Sequence, residues 1–135
     1  MNPLDIFNQF LQSAWASTPM GKGFTWVPEK GRFFDVSDPA EARQLFQEYP
    51  GKGKLYLAAT TKDVKEPGAG LLAGLEKVVA SGITRPAVGG YAGPPWELDA
   101  SAPTRSKKKA MQIKKKYKQD SVIAISKDGT VDWDA

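Results

Sequence analysis

The residues with the clearest chemical character in this sequence are basic side chains clustered between positions 105 and 118. No Asp or Glu occurs from residue 100 to residue 119, so these cations have no acidic neighbour in the sequence. Such a run can neutralise the phosphates of a nucleic acid, or it can form a solvated surface. The eight residues are Arg105, Lys107, Lys108, Lys109, Lys114, Lys115, Lys116 and Lys118.

The rest of the chain has the opposite charge. The whole chain has 135 residues, 19 basic and 15 acidic side chains, and a net charge of +4. Outside segment 105–118, 11 basic and 15 acidic residues remain, which gives that part a net charge of −4. A mildly acidic body with one basic segment indicates a localised charged surface and not a generally basic protein.

A helix at about residues 104–119 is expected to position these cations, because inward-facing residues recur there at helical spacing. Their stripe spans about 60°, which is narrower than that of an ordinary core helix. The two lysine triplets are seven residues apart, nearly two turns, so they stack on the same faces. We predict that Ile113 and Tyr117 pack inward, while the lysines, with Met111 among them, face solvent. The inward stripe consists of Ser106, Ala110, Ile113 and Tyr117.

This helix predicts binding to an anionic partner. Lysines along a helix neutralise phosphates without reading bases, and the scarcity of Arg argues against base recognition. Tyr91 and Trp96, with Tyr117, are the nearest aromatic residues that could stack single-stranded bases. The alternative is a solvated helix whose cations stabilise its C-terminal end and pair with the acidic body. We therefore expect a partner that is either a nucleic-acid backbone or an acidic protein surface.

The residue types that are absent exclude much enzyme chemistry. The sequence has no Cys and no His, which excludes disulfides, thiolate nucleophiles and Ser-His-Asp catalysis. Carboxylates could still bind a divalent ion, and Asp128, Asp132 and Asp134 cluster with Asp120 nearby. Their spacing matches no EF-type loop, so we interpret them as turn and strand-end residues. We expect a non-enzymatic protein with no catalytic residue, metal site or cofactor.

The hydrophobic pattern predicts a single domain over residues 1–135 with the order α-β-β-α-β-α-β-α-β-β. The fold class is α/β (α+β), with one small, mostly antiparallel sheet and three to four helices on one of its faces. Segment 55–60 is expected to be an interior strand with Tyr56 or Leu57 buried. In the Gly- and Pro-rich segment 83–103, a strand is predicted only at 96–100.

Two further features indicate where the protein acts. No apolar run approaches the roughly 18 residues of a membrane span. The N-terminal segment 1–5 also lacks the basic and apolar regions of a signal peptide. We therefore expect a soluble, cytoplasmic protein.

The last third of the chain has a recognisable arrangement. Gly89–Tyr91 and a predicted strand through Glu97 precede a helix that ends in a basic-aromatic-x-Gln-Asp run, 116–120, before a final strand. This arrangement resembles the C-terminal part of small uncharacterised proteins of bacteriophages and mobile elements. The resemblance implies an accessory role in a host cell cytoplasm, including inhibition of a nucleic-acid-handling defence complex. It carries no catalytic residue over to this sequence.

Overall fold

Four α-helices and seven strands follow one another along residues 2–135, the part of the chain that the computed structural model describes. Within that range, no helix is both long enough and apolar enough to cross a membrane. A π-helical turn at 10–14 and a 3-10 turn at 15–17 continue the first helix. The elements are α1 (Pro3–Gln9), β1 (Lys22–Val27), β2 (Arg32–Phe34), α2 (Pro39–Glu48), β3 (Leu55–Ala59), α3 (Ala69–Ala80), β4 (Ala87–Ala92), β5 (Glu97–Thr104), α4 (Lys107–Lys116), β6 (Ile123–Ile125) and β7 (Val131–Asp132).

The starts of the helices follow from local sequence. Side-chain oxygens of Asn2, Asp38 and Ser106 each accept a hydrogen bond from a backbone N–H of the first turn, at 2.9–3.1 Å. Pro3 and Pro39 occupy the first helical positions of α1 and α2, where a missing N–H has no cost. The residue types at positions 2–3 and 38–39 thus set the starts of α1 and α2.

All seven strands belong to one antiparallel sheet with the order β2-β1-β4-β5-β3-β6-β7. The fold class predicted from the sequence is therefore confirmed. The predicted interior strand is also confirmed, because β3 lies between β5 and β6 with Tyr56 and Leu57 buried. The sheet is curled into a half-barrel.

Helices cover both faces of this sheet, so the prediction that they would share one face is wrong. Trp26 and Tyr56 belong to the core that includes α1, α3 and α4, whereas the neighbouring Val27 and Leu57 belong to a second core with α2. Because consecutive residues of β1 and β3 are apolar, both faces must be shielded from water. Helix α2 contacts both β2, at one edge of the sheet, and β6, which is next to the strand at the other edge. The sheet therefore curls around α2.

Segment 83–103 forms the middle of the sheet and contributes two strands instead of one. β4 was not predicted, and β5 continues past residue 100 to Thr104. Pairing with β1 on one side and β5 on the other holds β4 in an extended form despite its two glycines. Tertiary pairing thus overrides the low strand propensity of glycine.

Candidate functional site

Helix α4 presents its lysines to solvent, as the sequence predicts. Ala110 and Ile113 are buried against the sheet, where α4 contacts β3 and β5, and Tyr117 is half-buried beside them. Lys109 and Lys114 are half-buried at the edges of this contact. The exposed residues, called the lysine face below, are Lys107, Lys108, Lys115, Lys116 and Lys118.

The lysine face is not neutralised by the rest of the protein. Among the described residues, the three ion pairs involve Lys30, Lys65 and Arg85, and none involves a lysine of α4. The alternative in which the acidic body pairs with these lysines therefore has no support in the structure. Four exposed lysines along a helix of about 15 Å, and Lys118 two residues beyond its end, keep their charge available to an external anion.

Two further exposed lysines lie in the loop before β3. Arg105 donates a hydrogen bond from Nη1 to the carbonyl oxygen of Gly53 in this loop at 2.8 Å. Lys52 and Lys54 flank Gly53, and both are exposed. The spacing of residues 51–54 does not match a phosphate-binding loop.

Arg105 itself lies outside the lysine face. Its guanidinium donates to the carbonyl oxygens of Phe46, Tyr49 and Gly53, and it stacks on the Phe46 ring at 3.8 Å. These carbonyls lie at and beyond the C-terminal end of α2, where unpaired oxygens need donors. The geometry assigns Arg105 to a structural contact.

Helix α4 is shorter than the predicted helix at 104–119. Thr104 is still part of β5, and Ser106 caps the new helix. Lys118 has a φ of +52°, a left-handed conformation that ends the helical turn. Met111 was expected among the exposed lysines, but it is half-buried and packs against the core, because the contact of α4 is wider than its apolar stripe.

The aromatic residues predicted to stack bases do not join the lysine face. Tyr91 is 43% exposed on β4, but it borders a cavity on the opposite side of the sheet from α4. Trp96 packs against Trp15, with ring centroids 4.7 Å apart. Tyr117 is half-buried beneath the ammonium groups of two lysines. The surface of α4 is therefore suited to phosphates and not to stacked bases.

The C-terminal carboxylates have local roles in turns. Asp128 accepts a hydrogen bond from the backbone N–H of Thr130 at 2.9 Å, which lowers the pKa of this carboxyl. Asp132 accepts one from the backbone N–H of Asp134 at 3.0 Å. In residues 2–135, no group of three or more acidic residues is arranged to hold a metal ion. The interpretation of Asp128 as a turn residue is confirmed.

A second candidate site is a cavity of about 280 Å³ in the curl of the sheet, beyond the N-terminal end of α2. Its floor is a row of facing residues on three adjacent strands, Thr25, Gly89 and Asp99. Ser101 lies two residues further along β5, and its facing residue on β3 is Ala59. Small side chains in the floor leave the space that larger residues would fill. The polar groups are thus recessed below the surface.

Asp99 has an unusual environment in this cavity. Burial, together with the charge of Glu97, raises the pKa of Asp99 to about 6. No hydrogen bond or ion pair to its carboxylate is present among the described residues, while Glu97 pairs with Lys65 at 3.4 Å. Asp35, across the cavity, is different, because hydrogen bonds from Ser37 lower the pKa of Asp35. An unpaired, half-buried carboxylate with a raised pKa is a feature of binding and catalytic sites.

Replacing Asp99→Asn should stabilise the protein at high pH. Because the pKa of Asp99 is raised, folding favours the protonated acid. The stability that the protonated acid contributes is fully present below the ordinary pKa of 3.8 and is lost as pH rises through about 6. Above that pH the ionised group destabilises the fold, and Asn should add about 1–2 kcal/mol to the free energy of unfolding. Urea unfolding at about pH 8 and pH 3.5 measures this difference. Equal effects of the substitution on the free energy of unfolding at both pH values would contradict the raised pKa of Asp99.

This cavity could not be predicted from the sequence. Its residues come from five strands, β1, β3, β4, β5 and β6, from the loop after β2 and from Trp133, and they are scattered over more than 100 positions. The single local signal was the alternation in segment 97–101, in which Glu97, Asp99 and Ser101 share one strand face. That pattern alone reads as an exposed strand face, since the curl that buries it depends on the whole sheet.

The chain was also compared with known proteins. No protein-family model, no curated protein and no solved structure matches it.

Proposed function

We propose that this protein is a non-enzymatic accessory protein that binds the backbone of nucleic acid through the lysine face of α4. The observation that carries the proposal is a helix with four exposed lysines, followed by the exposed Lys118, and no internal ion pair to any of them. The nearby loop that Arg105 contacts adds two exposed lysines, Lys52 and Lys54.

The mode of binding follows from the residue types. Lysine ammonium groups act as point charges and gain free energy when they displace condensed counterions from phosphates. No Arg, Asn or exposed aromatic side chain on this surface is placed to read a base edge. Binding should therefore depend strongly on salt and weakly on sequence.

The test replaces three exposed lysines, Lys107, Lys108 and Lys115, by Gln. With about four phosphate contacts, the parent should bind duplex DNA with a slope of log affinity against log salt near −4. The triple variant should have a slope near −1, because about three contacts are lost. Gln has nearly the helix propensity of Lys, so the fold should persist. Fluorescence anisotropy between about 50 and 200 mM salt, with two unrelated duplexes, measures the slope.

A matched control changes the net charge equally without touching α4. Lys22, Lys30 and Lys127 are exposed lysines in β1 and in two turns. Their replacement by Gln should leave the slope near that of the parent. Equal slopes for parent and α4 variant, or equal losses in the two variants, would contradict the proposal. So would an absence of parent binding at about 50 mM salt.

The alternative is a protein-interaction module of phage or mobile-element type that inhibits a nucleic-acid-handling host defence complex. The lysine face serves this role also, because an acidic protein groove and a nucleic acid present similar charge. If DNA does not bind, the same variants should be assayed against an acidic protein surface. Either role places the protein in the cytoplasm, which is part of the proposal.

A further inference from the structure

Two buried residues that line the cavity have hydroxyl groups without a protein partner. Among residues 2–135, five polar residues are buried, and the hydroxyls of Thr18, Thr60 and Thr61 each form a hydrogen bond with the backbone. Thr25 and Ser101 are the other two, with 5% and 7% exposure, and their hydroxyls have no hydrogen bond among the described residues. Both of these residues line the cavity. These two hydroxyls are not among the enclosed unpaired polar atoms of the described residues, so they are accessible from the cavity and free to form hydrogen bonds with a polar ligand there.

The charge around the cavity selects the kind of molecule. Its titratable residues are Asp35, Tyr91, Glu97 and Asp99, and no Lys or Arg is among the lining residues. Asp99 is half-buried, in register with Gly89 and without a cationic partner among the described residues. A half-buried carboxylate without a partner favours a positively charged ligand, since pairing offsets the cost of partly removing its charge from water.

The mouth of the cavity is aromatic. Tyr91 and Trp133 border it and are 43% and 51% exposed. Large aromatic side chains exposed at an acidic cavity can contact the apolar part of a cation and attract its charge through their rings. The volume of about 280 Å³ limits the ligand to a small molecule or a single side chain. At about 30 Å³ for each water molecule, this space equals roughly nine waters.

We infer that this cavity binds a small organic cation with N–H donors, an amine or a guanidinium group. Asp99 pairs with the charge, and the hydroxyls of Thr25 and Ser101 accept hydrogen bonds from its N–H groups. Tyr91 and Trp133 cover its apolar part. The group can belong to a free metabolite-sized amine or to a Lys or Arg side chain of a partner peptide.

The test uses agmatine, a cation with roughly nine non-hydrogen atoms, which matches the size of the cavity. Binding at about pH 8 should shift the backbone amide NMR signals of Thr25, Gly89 and Ser101 in a saturable manner. Asp99→Asn should weaken this binding at least tenfold, as expected when a buried charged partner is lost. Asp128→Asn is the matched control, because it removes one carboxylate in an exposed turn, and it should leave the affinity unchanged.

Two further ligands test whether the hydroxyls of the cavity accept hydrogen bonds and whether the cation is a free amine or a protein side chain. Choline has a positive charge but no N–H donor, so it should bind more weakly than agmatine if the hydroxyls accept hydrogen bonds. Thr25→Val should remove this preference for agmatine over choline. A capped Gly-Arg-Gly peptide that binds more tightly than agmatine would identify a protein side chain as the source, and weaker binding would identify a free amine.

The affinity for agmatine should also fall as pH decreases through about 6, where Asp99 becomes protonated. Lys22 near Asp35 and Lys65 paired with Glu97 are the cations at the rim. The inference is wrong if agmatine shifts none of the three amides, or if Asp99→Asn binds it as tightly as the parent. Equal binding of choline and agmatine by the parent would exclude the role of the hydroxyls.

Discussion

Arg105→Ala should lower the free energy of unfolding by about 3 kcal/mol. The guanidinium donates to three backbone carbonyls around the C-terminal end of α2 and packs on the Phe46 ring. Hydrogen bonds from a charged donor are stronger than neutral ones, and removal of the side chain leaves partly buried oxygens without donors. Urea unfolding followed by circular dichroism measures the loss.

Controls separate this structural role from a role in binding. Lys107→Ala, two residues away on the exposed surface, should change stability by no more than about 0.5 kcal/mol. Arg105→Lys should recover part of the loss, because one ammonium group cannot reach all three carbonyls. This variant should keep the parent's salt dependence on DNA. A stable Arg105→Ala protein with weakened DNA binding would place Arg105 in the binding surface instead.

Gly90→Ala should be similarly destabilising, by about 3 kcal/mol, or roughly 10 °C in melting temperature. Gly90 has a φ of +145°, and an added Cβ would lie 2.0 Å from the carbonyl oxygen of Glu97. The clashing atoms belong to the backbone of β5, so β4 and β5 would have to separate. Since this strand pair carries Asp99 in the cavity, agmatine binding should be lost as well. Thermal unfolding and the agmatine titration together measure both effects.

Gly23→Ala is the matched control on the neighbouring strand. A Cβ at this position has no contact closer than 3.8 Å, and its φ lies outside the left-handed range. The substitution should leave stability unchanged or raise it slightly, because alanine reduces the conformational entropy of the unfolded chain. If Gly90→Ala proved as stable as Gly23→Ala, the close approach of β4 and β5 would be incorrect.

Features with a local physical cause were predictable from the sequence. Capping side chains and first-position prolines set the starts of α1 and α2, since these contacts involve residues only a few positions apart. The run of apolar residues at 55–60, bounded by turns, predicted β3 correctly. The spacing of Ala110 and Ile113 predicted which side of α4 is buried. The exposure of the lysine face follows from the same periodicity.

Features that depend on distant pairing were not predictable. β4 contains Gly89 and Gly90, which weaken any local strand signal, and only its place between β1 and β5 makes it a strand. The second covered face was missed because a short apolar run does not reveal how many helices pack on it. The contacts of Arg105 were missed because its partners lie more than 50 residues earlier in the chain.

Composition and contacts within a few residues are enough to establish the fold class, most helices and strands, the exclusion of thiol and histidine chemistry, and the position of the basic segment. The three-dimensional arrangement was needed to show that, among the described residues, the lysine face has no internal ion pair and that Tyr91 and Trp96 lie away from it. The cavity likewise exists only because the curled sheet brings Thr25, Asp99 and Ser101 together. Burial and pairing of polar groups are set by residues far apart in the chain, and periodicity carries no information about them.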